Sequence, residues 1–104
     1  FFDENAKLND ETTKFLEAYA EKYDDSPAAV TALGYDAYLA AIKAIEAAGT
    51  TDGPAVRDAL AALTFDGCTG TISFDENGDA NKTEAILKTV KDGKFTYMDT
   101  VTVD

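Results

Sequence analysis

The 104-residue chain has no histidine and no tryptophan, and only one cysteine, one methionine and two prolines. Without histidine, neither a Ser–His nor a Cys–His nucleophile pair can form, and the usual zinc ligand is missing. The single Cys68 excludes an intrachain disulfide. Its neighbourhood, Phe65-Asp66-Gly67-Cys68-Thr69-Gly70, offers an acid and no base to lower the thiol pKa, so Cys68 reads as a small buried hydrophobe. Cationic residues are scarce: nine Lys and Arg against twenty Asp and Glu leave a net charge of −11. Such a surface repels phosphate backbones and anionic lipid, so nucleic acid is not an expected partner. No run approaches the roughly 20 apolar residues of a membrane span, so no membrane insertion is expected. No segment reads as a signal peptide, a basic targeting sequence or a low-complexity tract.

What is present is an ordinary globular balance, 45% hydrophobic and 28% charged. The length suits one domain, burying roughly 60–65% of its unfolded surface. Residues 1–8 carry no clear period, and the Phe1-Phe2 opening reads as a strand or crossover cut from a longer chain, or as a cloning scar. A helix is expected over about 9–23, with Asn9 as cap and Asp10 and Glu11 in the first turn, where the dipole favours acids. Phe15, Tyr19 and Tyr23 form its core-facing stripe, with Leu16 and Ala20 alongside. A second helix spans about 27–48, with Ser26 as cap, Pro27 at its first position and Gly49 closing it. Its alanines allow close neighbours, and its apolar residues run around most of the circumference, which implies burial on more than one side. Gly34, just before Tyr35 and Asp36, either marks the true helix start, with Asp36 near the cap, or admits a close backbone neighbour. A third helix is expected over about 54–63, and Phe65-Asp66-Gly67 then ends the helical half.

From Thr69 the period becomes strand-like. Strands are expected over about 71–74, 83–91 and 95–103, with turns at Asp75–Asp79 and at Lys91-Asp92-Gly93-Lys94. Phe95, Tyr97, Val101 and Val103 are expected on one face of the last strand. Three helices followed by antiparallel strands make an α+β order. The terminal hairpin lacks sheet partners of its own, which invites pairing with another copy of the chain.

Site chemistry is sparse. Asp75, Asn77, Asp79 and Asn81 suggest calcium, but positions 6 and 12 of an EF-hand loop counted from Asp75 hold Ala80 and Ile86, not Gly and Glu. An Asx turn is the better reading, and no metal site follows. Carboxylate pairs such as Asp24-Asp25 and Asp3-Glu4 carry little weight among twenty acids, and mark a helix boundary and a solvated end. Gly67-Cys68-Thr69-Gly70 is too short for a phosphate loop and has no following lysine. Lys82, Lys88 and Lys91 are a scatter rather than a basic patch.

Five ordered motifs nevertheless resemble one family. Phe15-Leu16-Glu17-Ala18-Tyr19 with Lys22-Tyr23 and Ser26-Pro27 is the first, and Leu33-Gly34-Tyr35-Asp36-Ala37 with Ala44-Ile45 and Ala48-Gly49 the second. Val56-Arg57-Asp58-Ala59-Leu60, then Gly67 to Asp75 with Gly78-Asp79, and finally Lys91-Asp92-Gly93-Lys94-Phe95 complete the set. Together they resemble the type I substrate-binding proteins of branched-chain amino-acid ABC transporters, with Cys68 standing where valine is common.

The resemblance implies an α/β parent fold of two lobes, with this chain a single partial domain near the C-terminal end. It implies a solute-binding component rather than an enzyme, with no catalytic residue and no cofactor. A small amino acid would bind by cleft closure in the intact protein, and an ABC permease would be the partner. Leu33, Gly34 and Tyr35 are the candidate ligand-side residues, with core packing an equal alternative for them. The implied location is periplasmic or extracellular, with lipid anchoring of the full-length protein one form of it. Two other functions stay open: a ligand-sensing ectodomain of the same fold, and a stand-alone interaction module without ligand. As a fragment the chain is expected to form a homo-oligomer and to bind free amino acids weakly or not at all.

Overall fold

The structure, a computed structural model, describes residues 2–103; Phe1, half of the aromatic opening, lies outside the described residues. Three helices come first: α1 (Asp10–Lys22), α2 (Ala29–Ala48) and α3 (Gly53–Ala61). Five strands follow: β1 (Phe65–Gly67), β2 (Gly70–Phe74), β3 (Ala80–Asn81), β4 (Glu84–Lys91) and β5 (Lys94–Thr102). All pairings are antiparallel, β1-β2-β3 in one sheet and β4-β5 in another.

The helix starts follow local hydrogen-bonding chemistry. Asn9 caps α1 by accepting the Thr12 N–H at 2.9 Å, and Asp52 caps α3 by accepting the Ala55 N–H at 3.3 Å. The expected Ser26-Pro27 start of α2 is corrected. Asp25 holds the Ser26 N–H in a turn, and the cap is Ala28, whose N–H donates to the Thr31 hydroxyl at 3.2 Å. Neither reading of Gly34 holds: the helix is already under way there, and a Cβ at Gly34 would meet nothing within 4 Å.

α2 buries one stripe only, Ala32, Asp36, Ala40 and Ala44, each four residues from the next. The expectation of burial on several sides is not met: Val30, Leu33, Tyr38 and Ile42 are exposed on its other face. Two apolar clusters lie along the buried stripe. Around Ala32 pack Phe2, Phe15 and Cys68, with Leu16, Tyr19 and Tyr35 against them; around Ala40 pack Phe65 and Ile72, with Leu60, Leu63 and Phe74. The aromatic stripe of α1 fades along the helix. Phe15 is buried, Tyr19 is half-buried, and Tyr23 is exposed, stacked on Tyr19 with ring centres 4.8 Å apart.

Phe65-Asp66-Gly67, read as the end of the helical half, is a strand pairing Phe65 with Ile72 and Gly67 with Gly70. Only Cys68 and Thr69 separate it from β2, so the two strands form a tight hairpin too short for sequence periodicity to reveal. The shared face expected for β5 is also corrected. Leu87 pairs with Asp99 but Lys88 pairs with Tyr97, which leaves Met98 as a bulge. The extra residue inverts the alternation, so Phe95 and Tyr97 share a face with Ile86 and Val90, while Val101 lies with Ala85 and Leu87. At the tip, Asp92 (φ 51°) and Gly93 (φ 74°) both take the left-handed region that a type I′ turn requires.

The β4–β5 hairpin stands off the helical body. The radius of gyration is 15.3 Å, against about 13 Å for a compact domain of this length. Phe95 is 80% and Val90 65% exposed near its tip. Its firm ties to the body are near the base and midpoint, including an ion pair from Lys88 to Asp3 at 3.0 Å.

Candidate functional site

Sequence reasoning singled out Leu33, Gly34 and Tyr35, and the helix sends them in different directions. Successive residues on an α-helix point about 100° apart. Leu33, 45% exposed, lines an open hollow of ≈ 180 Å³ together with Asp36, Ala40, Phe65, Phe74 and Lys82. Gly34 faces open space. Tyr35 turns towards α1: its ring centre lies 5.0 Å from that of Phe15, and its hydroxyl donates to Glu11 Oε1 at 2.6 Å. Burial, and then this bond to a carboxylate, push the Tyr35 pKa up to about 12.

The residue that organises this region is the next one, Asp36. It is 3% exposed, and its carboxylate accepts the Cys68 N–H at 2.7 Å, the Thr69 N–H at 3.0 Å and the Thr69 hydroxyl at 2.5 Å. Both N–H groups at the centre of the β1–β2 turn therefore end on one carboxylate. The approach is so close that a Cβ on Gly67 would stand 2.6 Å from Asp36 Oδ1. Glycine is required there by space, since its φ is not in the left-handed region.

The carbonyls of the same turn are taken from the opposite side by α1. Asn9 Nδ2 donates to the Gly67 carbonyl at 3.0 Å, and the Thr12 hydroxyl donates to the Cys68 carbonyl at 2.9 Å. One turn thus joins α1, α2 and the first sheet through a polar cluster lying between the two apolar ones. Cys68 sits inside it, fully buried, its Sγ 3.5 Å from the Ala32 carbonyl. Burial, with the Asp36 carboxylate adding to it, pushes the thiol pKa far up, so Cys68 has the character of a packed hydrophobe and not of a nucleophile. The Thr69 hydroxyl also accepts a hydrogen bond from Lys82 Nζ at 2.6 Å.

Local sequence signals place Asp36 only near a possible helix cap. The available signal was its place in a run of alanines spaced by four, Ala32, Ala40 and Ala44: an acid on the small-residue face of a helix has to find buried donors. The Asp75 segment is a turn between β2 and β3. Asp75 Oδ1 accepts the N–H groups of Asn77 and Asp79, each at 2.9 Å, so this oxygen is occupied by its own backbone.

The site holds a buried, satisfied carboxylate, an exposed leucine beside an apolar hollow, and a lysine at the rim. This arrangement can bind and position, and it presents no activated nucleophile.

Comparison with known proteins gives the same direction. The family model described as periplasmic binding protein matches residues 1–94. Over 64 residues, 62% of the chain, it is 38% identical to the leucine-, isoleucine-, valine-, threonine- and alanine-binding protein of Pseudomonas aeruginosa. The structure is similar to that of the leucine binding protein LivK from Thermotoga maritima, with a TM-score of 0.84 and 38% identity over 97% of the chain. It is also similar to an ABC transporter substrate-binding protein from Desulfitobacterium hafniense in complex with Leu, with a TM-score of 0.80 and 32% identity over 94% of the chain. The chain spans 17% of the Pseudomonas protein and 29% of each of the two solved chains.

Proposed function

Because the chain belongs to the periplasmic binding protein family, we propose that it is the C-terminal portion of a type I solute-binding component that delivers amino acids to an ABC permease. The observation that carries this reading is the likeness to a leucine binding protein, sustained at 38% identity over 97% of the chain. The ligand class is small aliphatic amino acids, in line with the names of the relatives and with the apolar hollow at Leu33. In the intact protein the ligand is held by closure of two lobes, a hinge motion in which each lobe supplies part of the site. Leu33 and Gly34, both open to solvent, are the contact residues of this portion. Tyr35 backs them, its hydroxyl occupied by Glu11. The protein works in the periplasm or outside the cell, in line with the family it belongs to. Separated from the rest, the chain self-associates through the exposed edge and apolar residues of its hairpin.

Calorimetric titration of the full-length protein with leucine, isoleucine and valine tests the reading. Saturable binding of at least one supports it, and heats indistinguishable from dilution for all three sink it. The 104-residue chain alone is expected to bind none of them tightly, since it lacks most of the cleft; sub-micromolar leucine binding by it would contradict that. Light scattering of the isolated chain checks self-association, which a strictly monomeric mass at high concentration would refute.

A further inference from the structure

The joint between the helical body and the β4–β5 hairpin is tied down by a short relay of side chains. Lys82 directly follows β3 and stands two residues before β4. Its ammonium donates to the Thr69 hydroxyl, and that hydroxyl donates to Asp36 Oδ2. A hydroxyl can do both, giving its one hydrogen and accepting another. The far end of the relay does not move freely, because Asp36 is buried and also holds the two turn amides. Beside it, Glu84 at the start of β4 lies over Gly70, close enough that a Cβ there would stand 2.8 Å from Glu84 Oε2. The loop 67–70 therefore touches the joint on both sides.

The hairpin is long for so narrow a base. Its nine-residue strand β5 spans about 30 Å, so a rotation of roughly 10° at the joint carries the tip about 5 Å. A contact at the base accordingly acts on the position of everything beyond it, together with the Lys88–Asp3 ion pair at the midpoint. We propose that Lys82 is a positioning residue which, acting through Thr69 and Asp36, sets the angle at which the β4–β5 hairpin leaves the helical body. Lys82 touches no ligand in this role. The rival account is an exposed contact with no energetic consequence, which is common for surface lysines.

Spin labels on the full-length protein decide between them. Glu46→Cys on α2 and Thr89→Cys on β4 are exposed labelling positions, while Cys68 is fully buried and stays unlabelled. Double electron–electron resonance then reads the distance from body to hairpin. Lys82→Met and Thr69→Val each break the relay while keeping bulk, and both broaden the distance distribution, raising the share of displaced hairpins by up to about fivefold. Thr69→Ser keeps the hydroxyl and retains the parent distribution. Distributions for Lys82→Met and Thr69→Val that superimpose on the parent overturn the proposal. So does broadening in Thr69→Ser equal to that in Thr69→Val, because packing rather than the hydrogen bond would then be responsible. Circular dichroism confirms that helix content is unchanged. Because Lys82 is exposed, Lys82→Met keeps the test decisive whatever Thr69→Val does to folding.

Discussion

The contact between Asp36 and Gly67 makes a double-mutant cycle informative. Asp36→Ala leaves the Cys68 and Thr69 N–H groups without their acceptor, the first of them buried. Each orphaned amide costs about 1–3 kcal/mol. Removing the carboxylate also removes its own desolvation penalty, which offsets part of this, so the net loss is about 3 kcal/mol. Gly67→Ala works on the same contact from the other side. The new methyl would lie 2.6–2.7 Å from three carboxylate atoms that hydrogen bonds hold in place. The displacement costs about 2 kcal/mol, the usual scale of overpacking. In the double variant the methyl occupies space the carboxylate has vacated. The combined loss should therefore stay near 3 kcal/mol, a coupling of about 2 kcal/mol between the sites. Urea unfolding followed by circular dichroism gives the three stabilities. Hydrogen exchange at the Cys68 and Thr69 amides gives the local readout, with protection lost in both variants that lack Asp36. Additivity within about 0.5 kcal/mol would show that the two residues do not share a contact, and would refute the reasoning.

Other consequences concern Tyr35 and Cys68. The folded pKa of Tyr35 is raised above the usual tyrosine value, so folding favours its protonated form. The associated stability is complete below the unfolded pKa near 10 and is lost as pH rises towards about 12. Spectrophotometric titration should show one of the five tyrosines ionising last, and Glu11→Gln should bring it closer to the rest; an unchanged curve would contradict the Tyr35–Glu11 bond. Cys68 should resist maleimide and disulfide reagents in the native protein and react at once in denaturant. Stoichiometric labelling under native conditions would mean that the turn opens.

Features read correctly from the sequence are those decided within a few residues. The Asn9 cap, the Asp92-Gly93 turn and the Asx turn at Asp75 each depend on a side chain or φ preference acting on its own neighbourhood. The start of α2 was misplaced because Ser26-Pro27 is a good generic signal, while the Thr31 hydroxyl, three residues beyond Ala28, supplied a competing one. β1 was missed because three residues do not carry a period. The faces of β5 were wrong beyond Met98, because a bulge is a property of the pair and leaves no mark on either strand alone. At the candidate site, Leu33, Gly34 and Tyr35 were chosen as a motif, yet a motif contiguous in sequence diverges around a helix.

The order of helices and strands, the acidic charge and the absence of histidine chemistry were settled by the sequence, because composition and short-range periodicity are additive over neighbouring residues. The family could be named from ordered motifs for a related reason: their spacing is itself a sequence property. Only the tertiary structure showed that Asp36 is the residue on which the region depends. Its donors lie more than thirty positions away, at Cys68 and Thr69, and no local preference of either segment encodes their meeting. That meeting follows from packing, which brings a helix face and a tight turn together and leaves a buried carboxylate and the two turn amides to satisfy one another.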